Sequence, residues 1–134
     1  MSIVESGSNK DHVVLTGREM DVMNVLWKLG SGTVSEVRKA LSDELAYTTV
    51  LTILRTLEKK GHVRHEAEGR AHRYLPLVAK EQAQESAVRR MVGKLFGNSP
   101  ELMMAQLLKE RGLSEEELRR LRALVDERLE EEES

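Results

Sequence analysis

Cysteine is missing from this chain of 134 residues. Disulfides, thiolate metal sites and cysteine nucleophiles are thereby excluded. Aromatic residues are scarce, 3% against 40% hydrophobic residues in all. A core must therefore be built from Leu, Val and Met, which favours helices. No apolar run in the sequence approaches the ~20 residues of a membrane-spanning helix. The N-terminal MSIVESGSNK lacks the basic-then-apolar order of a secretion signal. A cytoplasmic protein without membrane insertion is expected. No glycine-rich phosphate loop is present, and no nucleophile stands beside a plausible base. An enzyme is the least favoured class, and no cofactor is called for.

Net charge is −2 and says little by itself; its distribution says more. Residues 47–74 hold six Lys or Arg against three Glu, with His62, His65 and His72 in the same stretch. From Leu113 onward, nine acids face four arginines. A locally basic module joined to an acidic arm fits a polyanion binder.

Residues 1–12 are polar and aperiodic and read as a loose tail. Thr16 with Glu19 forms a capping box that starts a first helix, with Leu15 and Met20 placed as a hydrophobic staple. Met20, Val22, Met23, Leu26, Trp27 and Leu29 give it a wide apolar stripe, and Gly30 and Gly32 stop it. Thr33 with Glu36 starts a short second helix with Val34, Val37, Ala40 and Leu41 inward. Thr33 is also expected in a strand of one or two residues, which the hairpin proposed below would borrow.

The stretch AYTTVLTILRTLEKKG over residues 46–61 is a third helix with two unlike faces. At roughly 100° per residue, Tyr47, Val50, Leu51, Ile53, Leu54 and Leu57 fall on one side. Thr48, Thr49, Thr52, Arg55, Thr56 and Lys59 fall on the other. A solvated face usually mixes Glu with Lys and uses strong helix formers. This polar face has no acid. Short hydroxyls, methyls and an arginine suit a DNA groove: hydroxyls to phosphates or bases, methyls to thymine methyls, Arg to guanine or phosphate.

Two helices and a tight link before this one make a helix-turn-helix. After it, residues 62–67 alternate with the period of a strand, Glu68-Gly69 turns, and residues 71–75 return, closed at an edge by Pro76. A hairpin tipped by Gly69 and Arg70, with Arg73 nearby, is a wing. Three further helices follow. Val88, Met91, Val92 and Leu95 stripe the first, Leu102, Met103, Leu107 and Leu108 the second. Ser114 with Glu117 caps the third, striped by Leu118, Leu121, Leu124, Val125 and Leu129. These helices are too thinly apolar to make a second core alone, so their stripes are expected to meet a second copy.

The segments LTGREMDVMNVLWKLGSGTVSEVRKAL, AYTTVLTILRTLEKKGHV, GRAHRYLPLV and LSEEELRRLRALVDE resemble the BlaI/MecI family of bacterial repressors over about residues 15–130. The resemblance implies a mainly α protein: a winged helix-turn-helix head over 13–78 and a C-terminal helical dimerisation domain over 79–134. It implies a cytoplasmic homodimer that represses β-lactamase, penicillin-binding-protein or other genes from palindromic double-stranded DNA operators with TACA/TGTA half-sites. Family groove contacts fall on Thr48, Thr49, Thr52 and Thr56, with Arg55 facing the same way. Wing contacts to phosphate fall near Gly69, Arg70 and Arg73, and Lys59 joins them. The dimer interface is expected to include Val88, Met91, Val92, Leu95, Leu102, Leu107, Leu118, Leu121 and Val125.

Two departures stand out. Some members carry a basic residue where this chain has Thr48, which leaves Arg55 to supply phosphate affinity. Members cut by a membrane sensor peptidase have an Asn-Phe bond where this chain has Gln106-Leu107. The copper-responsive branch carries a cysteine cluster, which this chain lacks. From the residues alone, a winged-helix protein-interaction module is the main rival class. A metal sensor built on His62, His65 and His72 is a weaker one, because no acid or Cys completes a clear tetrahedral set.

Overall fold

Three reciprocal capping boxes set three helix starts. Thr16 Oγ1 accepts from the Glu19 amide at 3.2 Å, and Glu19 Oε1 accepts from the Thr16 amide at 2.9 Å. Thr33 and Glu36 repeat the exchange at 3.2 Å both ways, and Ser114 and Glu117 at 3.0 and 2.9 Å. Each satisfies two backbone donors that a helix start otherwise leaves open.

The computed structural model describes residues 13–110 and 112–134; the tail expected over residues 1–12 lies outside them. The elements are helix α1 (Gly17–Leu29), strand β1 (Gly32–Thr33), α2 (Val34–Ala40), α3 (Tyr47–Lys59), β2 (Val63–Glu68), β3 (Ala71–Pro76), α4 (Lys80–Leu95), α5 (Pro100–Lys109) and α6 (Glu115–Glu133). This is a mainly helical winged helix-turn-helix followed by helices only. The chain divides into two units, one ending at Met91 and the other Val92–Ser134.

In the first unit, α1, α2 and α3 share one core. Val22, Met23 and Leu26 meet Val34, Val37, Val50, Leu54 and Leu57, and the sheet adds Val63 and Tyr74. Full burial of an aliphatic side chain contributes about 1.5–3 kcal/mol. That matters most for α3, whose N-cap is Ala46 with no side-chain cap. Packing, not capping, holds this helix. Tyr47 departs from its expected place on the buried side: it is 46% exposed, because the first turn of α3 projects beyond the core. Met20 and Leu29 are likewise 45% and 50% exposed, at the margins of the α1 stripe.

The sheet order is β1-β3-β2, all antiparallel. The two-residue strand foreseen at Thr33 forms, with Gly32 opposite Tyr74 and Thr33 opposite Arg73. Gly69 and Arg70 connect β2 to β3, with Glu68 opposite Ala71. Gly69 adopts φ 61°, as the first central residue of a tight hairpin requires. β3 is thus a central strand, not the edge expected from Pro76. Proline is tolerated because β1 pairs only with Arg73 and Tyr74, so no ladder partner faces Pro76 on that side.

The start of α4 belongs to the same unit. Ser86, fully buried, donates its hydroxyl to the Val13 carbonyl at 2.9 Å. The Trp27 indole N–H donates to the Val78 carbonyl at 2.9 Å. Farther along, neither α5 nor α6 contains a buried residue.

Candidate nucleic-acid interface

Thr48, Thr49, Thr52, Arg55, Thr56 and Lys59 are all exposed along α3. The opposite side of that helix carries Val50, Leu54 and Leu57 with no exposure at all. A period of 3.6 residues makes this division: what packs on α1 and α2 fixes what faces outward. The exposed face contains no carboxylate. Glu58, at its border, lies against β2, where both its oxygens are within 2.9 Å of His65 Nδ1.

Thr52 is not a free hydroxyl. Its Oγ1 donates to the Thr48 carbonyl at 2.9 Å, the back-bond that Thr forms inside helices. The donor is therefore satisfied within the helix, and the methyl and an oxygen lone pair are left to face outward. Tyr47, assigned to the core by periodicity, instead joins the exposed N-terminal turn. The helical period places it on the apolar side but does not show where the core ends.

The two wing arginines sit in unlike surroundings. Arg70, at the turn, is exposed and makes no hydrogen bond among the described residues. Arg73 lies in an ion cluster. Its Nη1 and Nη2 donate to Glu36 Oε1 and Oε2 at 3.0 and 3.1 Å. Its Nε and Nη2 donate to Glu68 at 2.7 and 3.0 Å, and Nη1 also reaches Ser31 Oγ at 3.1 Å. Hydrogen bonds donated to Glu68 and Glu36 push the guanidinium pKa above its usual value. The Arg73 hydrogen bond holds both carboxyls below theirs. One cation between two carboxylates leaves the cluster net negative. Arg73 is thus engaged in joining the wing to α2, a role that spacing alone did not suggest.

Behind the C-terminal end of α3, Lys60 Nζ donates to Glu19 Oε1 at 2.8 Å and to the Val14 carbonyl at 3.2 Å. Burial works to raise the Glu19 pKa, but the Lys60 hydrogen bond, the Thr16 amide and the Lys60 charge outweigh it and lower it. His62 beside them is 5% exposed, with Nε2 buried and unpartnered among the described residues. Burial, and then the Lys60 charge, lower its pKa. His65 and His72 stack at 4.2 Å between ring centroids on exposed strand positions. The three wing histidines therefore do not converge. Among the described residues, no group of three His, Asp or Glu is placed to hold a metal ion.

The expected pairing residues are uncovered within the single chain. Val88, Met91, Leu95 and Leu102 are 46–69% exposed, and Leu107, Leu118, Leu121 and Val125 are 39–52% exposed; Val92 is partly buried. Gln106 and Leu107 lie inside α5. No helix among the described residues is long and apolar enough to cross a membrane.

The sequence profile of the penicillinase repressor family matches residues 15–127. The chain is similar to the penicillinase repressor of Bacillus licheniformis, 30% identical over 115 residues that cover 84% of this chain and 90% of that protein. It is similar to the transcriptional regulator BlaI of Mycobacterium tuberculosis, 43% identical over 67 residues that cover 48% of this chain and 49% of that protein. Among solved structures, the DNA-binding domain of the repressor BlaI is 36% identical with a TM-score of 0.47, covering 51% of this chain and 85% of that one.

Proposed function

The chain belongs to the penicillinase repressor family and is a DNA-binding transcriptional repressor; we propose that it acts in the cytoplasm as a homodimer on palindromic operators. One observation carries this reading: the exposed face of α3 is free of acid and made of Thr48, Thr49, Thr52, Arg55, Thr56 and Lys59, on the third helix of a winged helix-turn-helix. In that motif the N-terminal residues of the recognition helix meet base edges in the major groove. Thr48, Thr49 and Thr52 occupy that end here, with Arg55 and Thr56 one turn further on. Lys59 and Arg70 hold phosphates on either side. Arg73 supports the wing from behind rather than meeting a phosphate itself.

Residues 13–78 make the reading head and residues 79–134 the pairing region. α5 and α6 bury none of their own residues yet expose Leu102, Leu107, Leu118, Leu121 and Val125. Most helical stability comes from packing an apolar face rather than from propensity, so in this reading a second copy completes them. Pairing would set two recognition helices about one DNA turn apart, ~34 Å. Bound across a promoter, the dimer would occlude it. The regulated genes are β-lactam-resistance or related genes, and release follows from loss of the dimer, because a monomer forfeits the second half-site. A membrane sensor peptidase is the partner that would cause it. Gln106-Leu107 is a poor bond for that role: it lies within α5, which would have to unwind into an extended strand first.

Selection of bound duplexes from a random pool tests the reading. The expected result is a two-fold symmetric site with half-site centres about ten base pairs apart or a multiple of that. No duplex binding even at low salt would point to a protein-interaction module, and a single unrepeated half-site would remove the dimer.

A further inference from the structure

Between α1 and the Lys80–Arg90 part of α4, within the unit that ends at Met91, lies a groove with a cavity of about 200 Å³. Leu15, Met20 and Trp27 form one wall and Ala83 and Ala87 of α4 the other, with the amides of Asn24 and Gln84 also in the lining. Two cations, Lys80 and Arg90, line it, and among the described residues no acid does. No residue of α3 or of the wing takes part. The Trp27 indole N–H is already donated to the Val78 carbonyl, so this side chain offers the groove only its ring. The Arg90 Nε is buried and has no hydrogen-bond partner among the described residues. A buried donor without an acceptor is uncommon in a folded protein and asks for an explanation.

We propose that this groove binds a small monocarboxylate bearing a single apolar ring, its carboxylate on Arg90 and its ring between Trp27, Met20 and Ala87. Size sets the ring: a cavity of ~150 Å³ lined by apolar side chains holds one benzene, and this one is slightly larger. Charge sets the acid. A guanidinium with no acid beside it among the described lining residues donates strong charge-assisted hydrogen bonds to a carboxylate. Leu15, Met20, Trp27, Ala83 and Ala87 set the rest of the ligand as apolar, because a charge placed among them would be buried unpaired. The small Ala83 and Ala87 leave the room that larger residues would close. The site gives the repressor a small-molecule input on α1 and α4, and it stands apart from the operator and dimer readings above.

Trp27 is the only tryptophan of the chain, so fluorescence of the full-length protein reports on the groove directly. Benzoate is the probe, with uncharged benzamide and ringless acetate as controls. Benzoate should change the emission saturably, and both controls should bind at least ~tenfold more weakly. Arg90→Met should reduce benzoate to the level of benzamide. Ala87→Leu, which fills the groove, should abolish the response while the cooperative thermal melt is kept. Absence of a saturable benzoate response in the natural protein overturns the proposal. So do equal responses to benzoate and benzamide, or an unchanged response in Ala87→Leu. A change that follows protein concentration instead of benzoate concentration puts a second copy in the groove, and overturns it too.

Discussion

Arg73 on β3 grips Glu36 on α2 with two parallel hydrogen bonds of 3.0 and 3.1 Å. The same Glu36 closes the capping box of α2 on Thr33. One carboxylate therefore both starts a helix of the helix-turn-helix and anchors the wing to it. Arg70, three residues before Arg73, has no such engagement among the described residues.

The two arginines should consequently fail in different ways. Arg70→Ala should weaken binding to all duplexes alike. It should also lower the salt slope of log K by about 0.9 for each phosphate contact removed. Arg73→Ala should leave the slope as it is, lower the thermal midpoint and weaken binding severalfold by freeing the wing. Affinity measured across a salt series, beside a melt, separates them. A slope change in Arg73→Ala equal to that in Arg70→Ala would mean that its guanidinium leaves Glu36 for a phosphate.

Thr52 offers a test of which part of a threonine reads DNA. Its hydroxyl is donated to the Thr48 carbonyl, so Thr52→Val, which keeps the methyl, should retain the base preference. Thr52→Ser should relax it. Burying one methyl-sized group contributes about 0.8 kcal/mol, hence a loss of roughly fourfold per half-site. Base preference profiles of the two variants decide, and the opposite ranking would assign reading to the hydroxyl.

Leu121 and Val125, 39% and 52% exposed on α6, should matter only through a second copy. The double change Leu121→Glu with Val125→Glu should give a monomer by sedimentation with its helix content intact, since Glu is a good helix former. Affinity for a full operator should fall by roughly 10²–10⁴, the usual gain from linked sites. Affinity for an isolated half-site should be unchanged. A dimer that survives would place the interface elsewhere.

Acid should destabilise the head in two separate windows. His62 has a folded pKa lowered from 6.5 by its burial. The unfolded chain therefore takes up the proton first. The stability tied to neutral His62 is whole above pH 6.5 and is lost as pH falls below it toward the folded pKa. Glu19, Glu36 and Glu68, lowered from 4.5, contribute above 4.5 and lose their contribution only below it. Thermal midpoints should thus already decline as pH falls below 6.5, before the carboxylates titrate, and His62→Gln should flatten that interval alone. A natural protein with a flat profile there would show His62 to be as easily protonated folded as unfolded.

Much of the architecture is legible in the sequence because its causes are local. The capping boxes join residues three apart, the helix stripes repeat every three or four positions, and the hairpin turns at Gly69 where a positive φ is needed. Such signals hold whatever the rest of the chain does. They were enough to place the acid-free face of α3 and the helices around it. The resemblance to known repressors rests on those same segments.

What tertiary structure alone decided are the partnerships across long stretches of chain. Arg73 reads as another basic wing residue until Glu36, 37 positions earlier, comes to lie beside it. Tyr47 fits the apolar stripe of α3 until the core ends one turn short of it. Lys60 meets Glu19 across 41 positions, and α4 closes on Val13 across 73. Periodicity states which side of a helix is apolar. It does not state how far the neighbouring core extends, nor which distant carboxylate will neutralise a given cation. Those depend on the packing of all the elements at once, and they separate Arg70, without an ion-pair partner among the described residues, from Arg73, which joins the wing to α2.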